Sequence, residues 1–304
     1  MATFQDSVLQ RLPDRAANEP RPDVADNDKA IGEIIATNRG LSSMQVDKIA
    51  ALQRRNGLRF GEAAIALGLA SEDDVLFALS KQFEYPVATD QQQKLSPELV
   101  TLTNPFSRQS EVFRSIRSQL LVNVFNEQPG PRRALAIVSP GAGDGKTFFA
   151  ANLAVALAQL GGRTLLVDAD MRGPRMHSLF LVPNVAGLSG LLAGRADEWA
   201  VKQVPTLPGL FVLPVGIRPP NPLELFERRA FGLLVRALAS SFDHVLFDTS
   251  AAQYGADASV VASRCGAALV VVRKNSSRIS ELTELSVALN RNAATTTSVV
   301  VNEF

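Results

Sequence analysis

Residues 134–150 read ALAIVSPGAGDGKTFFA. An apolar run from Ala134 to Val138 gives way to a loop with three glycines, and Lys146-Thr147 then opens a helix-forming segment. Glycine lacks a Cβ, so such a loop can turn backbone N–H groups inward on an anion, while the helix behind it adds unpaired N–H groups and its positive dipole end. The stretch therefore reads as a phosphate cradle made by Gly141, Ala142, Gly143, Asp144, Gly145, Lys146, Thr147 and Phe148. Lys146 is expected to reach the β- and γ-phosphates of a nucleotide, and Thr147 to offer its hydroxyl to Mg2+. The strict pattern has glycine six residues before the lysine, where this chain has Pro140. Taken without its context, the stretch is a glycine-rich turn between strand and helix. The order of strand, loop, Gly-Lys-Thr and helix favours nucleotide binding.

Two further segments bear on the same site. Residues 163–175, RTLLVDADMRGPR, read as a buried strand ending in Asp168 and Asp170 with Arg172 just beyond, and residues 242–249, FDHVLFDT, as a strand delivering Asp248. Each aspartate alone is an ordinary strand-end turn residue. In an open parallel sheet, however, ligands sit at the carboxyl ends of strands, where all three carboxylates and the phosphate loop would meet. One carboxylate can hold Mg2+ and another can accept the proton of an attacking hydroxyl, as phosphoryl transfer requires.

A phosphate loop, then Asp168-Ala169-Asp170-Met171-Arg172, then Asp248-Thr249 resembles the Walker A, A′ and B set of bacterial tyrosine kinases within the deviant-Walker ATPase group. The Min/Par branch of that group carries a second signature lysine at the position of Gly141. The resemblance implies ATP and Mg2+ as cofactors, transfer of the γ-phosphoryl group to a tyrosine hydroxyl, and a role in exopolysaccharide chain length and export. It assigns catalysis to Lys146, Asp168 and Asp170: Asp168 to orient or deprotonate the tyrosine, Asp170 to support the metal or serve as the alternative base. Thr147 and Asp248, with Asp168, are the metal-side residues, and Asn302 after the last strand is an adenine contact or simply a strand-terminating asparagine. It also implies a homo-oligomeric ring and an activator, the cytoplasmic tail of a membrane-anchored chain-length determinant protein. The other reading of the same loop is an ATPase switch that controls assembly of an export complex without phosphorylating tyrosine.

Composition sets bounds. A chain of 304 residues suffices for one sizeable domain and a smaller one. The net charge of +1 gives no global field for nucleic acid. Cys265, the single cysteine, allows no internal disulfide and reads as a small core residue. No apolar run approaches a membrane span and no signal-peptide core opens the chain, so a cytoplasmic protein, peripheral to the inner membrane through its partner, is expected.

Taken in order, residues 1–28 read as a flexible tail and 29–90 as a small helical repeat domain. Displacing the chain by 29 residues lays Gly32-Glu33 on Gly61-Glu62, Ser42 on Ser71 and Val46 on Val75, which suggests two similar helical hairpins. This domain resembles the N-terminal domain of type II secretion ATPases, some of which bind cyclic di-GMP through Arg-Leu-Gly-like segments. Arg59-Phe60-Gly61 matches that segment and Ala30-Ile31-Gly32 lacks its arginine, which favours protein docking over cyclic di-GMP. Residues 91–105 read as a linker and 106–304 as the catalytic domain, a doubly wound, mostly parallel α/β sheet of P-loop type. In SRQSEVFRSIRSQLLVNVF, Glu111, Arg114 and Arg117 share one helical face. Such a stripe is usually solvated; here it resembles the Glu-x-x-Arg-x-x-Arg motif through which the kinases assemble. Prolines at 219–222 predict a rigid turn before a helix over 223–239. The tyrosines are Tyr85 and Tyr254. Tyr254, close in sequence to Asp248, is the better phosphoacceptor candidate of the two.

Overall fold

The computed structural model describes residues 31–82, 95–125, 132–195, 200–291 and 295–303. The expected tail, part of the expected linker and Tyr85 lie outside the described residues. The chain divides into two compact units, one holding the described residues up to Gln82 and the other those from Leu95 onward.

In the first unit, helices Ile31–Arg39 and Ser43–Asn56 recur as Phe60–Ala66 and Glu72–Gln82, each start displaced by the 29 residues of the sequence repeat. The caps repeat as well. Ser42 donates its N–H to Gln45 Oε1 (2.8 Å) and its hydroxyl oxygen accepts from the Gln45 N–H, while Ser71 and Asp74 exchange the same pair of bonds at 2.7 and 3.2 Å. Small residues let the hairpins close. A Cβ at Gly61 would come within 2.8 Å of Val75, and one at Gly32 within 3.3 Å of the Phe60 ring. Ile35, Ile49, Ala63, Ala64 and Ala78 fill the space between.

The second unit is built on a seven-stranded sheet of order β3-β4-β2-β5-β1-β6-β7. Its strands are β1 (Ala134–Val138), β2 (Thr164–Ala169), β3 (Lys202–Gln203), β4 (Leu210–Leu213), β5 (His244–Thr249), β6 (Gly266–Arg273) and β7 (Thr295–Asn302). Only the short β3 runs antiparallel, paired with β4. Continuous apolar strands imply cover on both faces, and that is how β1 sits: Ala134, Ala136 and Val138 join one core while Leu135 and Ile137 join the other. Cys265 is buried in the first of these cores, and burial pushes its thiol pKa up.

Helix Lys146–Ala158 lies in the second core and is buried along almost its whole length, which its run of alanines permits. It is covered from outside by helix Arg108–Asn123 and by residues 95–103. Residues 95–105 are therefore not the expected linker: Leu95, Leu99 and Leu102 are core residues. The fully buried Asn152 anchors them. Its Oδ1 accepts from the N–H and hydroxyl of Thr101, both at 2.9 Å, and its Nδ2 donates to the carbonyls of Glu98 (2.8 Å) and Phe148 (2.9 Å). The helix expected over 223–239 is two helices, Pro222–Glu227 and Arg229–Ser241, broken by the extended backbone of Arg228 (φ −60°, ψ 142°). The break lets Phe226 and Phe231 enter the same core with ring centroids 5.1 Å apart.

Asn152→Ala leaves the Thr101 N–H and the Glu98 carbonyl buried without their partner, so it is expected to destabilise the second unit by about 3 kcal/mol. Urea unfolding of the full chain measures this as a lowered midpoint; an unshifted midpoint would show that residues 95–105 are held by apolar packing alone.

Candidate nucleotide site

The phosphate loop leaves β1 and enters helix Lys146–Ala158 through two glycines in the left-handed region, Gly143 (φ 83°) and Gly145 (φ 95°). Two side chains brace its back. Asp144 Oδ2 accepts the Gly141 N–H at 2.8 Å, and Gln253 Oε1 accepts the Ala142 N–H at 3.3 Å. At the head of the helix, Lys146 and Thr147 are nearly buried. The Lys146 Nζ stands 3.3 Å from Asp170 Oδ2, and the Thr147 hydroxyl donates to Asp248 Oδ2 at 2.7 Å.

The strand register brings the aspartates together. Asp168 and Asp248 are direct partners across the parallel β2–β5 pair, and Asp170 follows β2. Asp168 is fully buried. Its Oδ2 accepts the N–H groups of Arg175 (3.2 Å) and Met176 (3.1 Å), and its Oδ1 that of Asp170 (3.2 Å). Asp170 Oδ1 accepts from Arg172 and Gly173, a local turn that leaves Oδ2 to Lys146. Burial, and then the neighbouring Asp248, hold the Asp168 pKa well above the carboxylate range. Burial raises Asp248 to about 7 against the opposing pull of Lys146 and the Thr147 bond.

Asp248 Oδ1 is buried and has no hydrogen-bond partner among the described residues. An unpaired carboxylate oxygen beside a threonine hydroxyl, at the strand ends and next to a phosphate loop, is a donor set that suits Mg2+, which is commonly held by one or two carboxylates together with substrate phosphates. The expected metal-side residues Thr147, Asp168 and Asp248 are thus adjacent, although the oxygens of Asp168 are already engaged by backbone N–H groups.

Other expected residues are placed differently. Arg172 turns away from the aspartates and forks onto Asp257 at the start of helix Asp257–Cys265, with bonds of 2.7 and 3.3 Å. Asn302 lies on the loop itself, its Nδ2 donating to the Asp144 carbonyl at 3.0 Å. Glu111 pairs with Arg114 at 2.6 Å, Arg114 also donates to the Pro105 carbonyl, and Arg117 donates to the Ala156 carbonyl at 2.8 Å. Arg117 is therefore engaged within its own chain, near the carboxyl end of the helix that begins at Lys146. Tyr254 is half exposed in the turn Ala252–Tyr254. Sequence reasoning missed Gln253, Asp257 and Ser277. Of these, only Asp257 carried a local signal, as an acid opening a helix.

The profile of the CobQ/CobB/MinD/ParA nucleotide binding domain matches residues 135–304, more than half of the chain. The putative tyrosine-protein kinase CapB of Staphylococcus aureus is 31% identical over 200 residues, covering 66% of this chain and 86% of that relative. The chain belongs to the bacterial tyrosine kinase family of that nucleotide-binding fold. Tyrosine-protein kinase Wzc of Salmonella typhi is likewise 31% identical, over 68% of this chain, and the match spans only 28% of that longer relative. Among solved structures, the kinase domain of the Escherichia coli tyrosine kinase ETK superposes with a TM-score of 0.64 at 29% identity, covering 69% of this chain and 80% of that one. Among the described residues, no helix of this family member is long and apolar enough to cross a membrane.

The raised carboxylates fix the sign of a pH effect. Metal-free, the folded chain holds protons on Asp168 and Asp248 that the unfolded chain releases near pH 4. Stability is therefore expected to fall as pH rises from about 4 through about 7. With EDTA present, the thermal midpoint should be lower at pH 7.5 than at pH 5.5, and Asp248→Asn should flatten the difference. An equal slope in the variant would remove Asp248 as a cause.

Proposed function

We propose that this domain transfers the γ-phosphoryl group of ATP to a protein tyrosine. The observation that carries the reading is the Lys146–Asp170 and Thr147–Asp248 pairing at the strand ends, with Asp168 alongside; the kinase names of the relatives support it. Lys146, held on Asp170, would exchange that carboxylate for the β- and γ-phosphates and neutralise charge there as the tyrosine oxygen bonds to phosphorus and ADP departs. Thr147 and Asp248 would hold Mg2+, which supplies positive charge to the phosphate oxygens. Asp168, whose proton affinity is raised, would orient the incoming hydroxyl and take its proton, with Asp170 as the alternative acceptor. Catalysis would then be positioning and electrostatics.

The assembly belongs to the same proposal. Glu111 and Arg114 would contact a neighbouring subunit of a ring, with Arg117 bracing the helix behind them. The activator would be the cytoplasmic tail of a membrane-anchored chain-length determinant protein, which would also place the chain at the inner membrane, and the output would be control of exopolysaccharide length and export. The helical unit would serve as a docking module. A cyclic di-GMP role would rest there on the exposed Arg59.

Incubation of the full chain with Mg2+ and γ-labelled ATP is expected to yield phosphotyrosine, abolished by Lys146→Ala and reduced by Tyr254→Phe if that residue is the acceptor. Free phosphate without labelled protein, even after the partner tail is added, would replace the kinase by an ATPase switch.

A further inference from the structure

Asp144 is a peculiar occupant of a phosphate loop. It puts a carboxylate beside the place where an anion is to bind, yet it is only 3% exposed and both its oxygens are engaged. Oδ2 takes the Gly141 N–H at 2.8 Å, and Oδ1 takes the hydroxyl of Ser277 at 2.8 Å. Ser277 is itself fixed: its oxygen accepts the Arg273 N–H at 2.8 Å, and its N–H donates to the Arg273 carbonyl at 3.0 Å, closing a turn at the end of β6. A second tie comes from the next strand. Asn302, at the end of β7, donates from Nδ2 to the Asp144 carbonyl at 3.0 Å, and its own carbonyl accepts the Lys274 N–H at 2.8 Å. A Cβ at Gly145 would lie 2.1 Å from that Nδ2, so only glycine lets the tie form.

We propose that Ser277 and Asn302 are positioning residues of the phosphate loop, and that Ser277 acts by holding the Asp144 carboxylate back from the bound phosphates. The proposal rests on the nucleotide reading of the site. Without the Ser277 hydroxyl, only the Gly141 N–H restrains the carboxylate, which can then turn on its Cα–Cβ bond toward the cradle, where it repels the polyphosphate. With the hydroxyl in place, its charge is turned onto the Gly141 amide and the β6 corner.

Calorimetric binding of Mg2+-ADP to the full chain tests this without relying on turnover. Ser277→Ala is expected to weaken binding about tenfold, the scale of one lost hydrogen bond to a charged group. Ser277→Thr, which keeps the hydroxyl, should stay within about twofold of wild type, on the same scale. In an Asp144→Asn background, where no charge needs restraint, Ser277→Ala should cost less than about twofold. Equal binding by wild type and Ser277→Ala, a loss that threonine does not restore, or an undiminished loss in the Asp144→Asn background each overturns the proposal. A wild-type chain that binds no Mg2+-ADP overturns instead the nucleotide reading on which it rests.

Discussion

Three buried carboxylates face one buried ammonium at the carboxyl ends of β1, β2 and β5, and the rest of the second unit serves to keep them there. Asp168, Asp170 and Asp248 against Lys146 leave an excess of negative charge where solvent scarcely reaches. Opposite charges at 3–4 Å interact far more strongly in such surroundings than in water, and like charges repel just as strongly. The site therefore answers its own imbalance in part: three backbone N–H groups hold the Asp168 oxygens, its proton affinity is raised, and Lys146 is drawn to Asp170. What remains is the bare Oδ1 of Asp248. On the proposed reading, a divalent cation supplied with a polyphosphate would complete the balance from outside, and binding of the pair would then stabilise the fold.

Holding that charge requires a rigid frame. Parallel pairing of β2 with β5 sets Asp168 opposite Asp248, and a slip of one residue would point one of them into the opposite core. Behind them, helix Lys146–Ala158 is clamped between the sheet and the 95–123 segment, so the loop at its head has little freedom to recoil. Asn152 shows how firmly: a fully buried amide is tolerated because its hydrogen-bonding groups on both sides have partners, and it joins the helix to chain more than fifty residues upstream.

How much of this was legible follows from sequence distance. The phosphate loop, its glycines and its Lys-Thr pair are contiguous, and the aspartates close short apolar runs, so local pattern sufficed to bring them together. The 29-residue repeat was legible because Gly32-Glu33 and Ser42 recur as Gly61-Glu62 and Ser71, and the fold then shows both serines capping equivalent helices. Leu95, Leu99 and Leu102 were hidden by the prolines and glutamines around them, which read as linker although the leucines are core. The fork of Arg172 on Asp257 and the bond of Ser277 to Asp144 span 85 and 133 residues, so only the folded chain brings those partners together.

The glycines of the loop then acquire different reasons. Gly143 answers to its own backbone angle, with nothing near its missing side chain. Gly141 answers to Asp144: a Cβ there would sit 3.2 Å from the carboxylate that takes its N–H, crowding the bond. A lysine at 141, as in the Min/Par branch, would place both a Cβ and a stem where this chain has folded back a carboxylate. With glycine at 141 the Asp144 carboxylate takes the loop's own N–H without crowding, and Ser277 ties that carboxylate to the β6 corner of the same subunit.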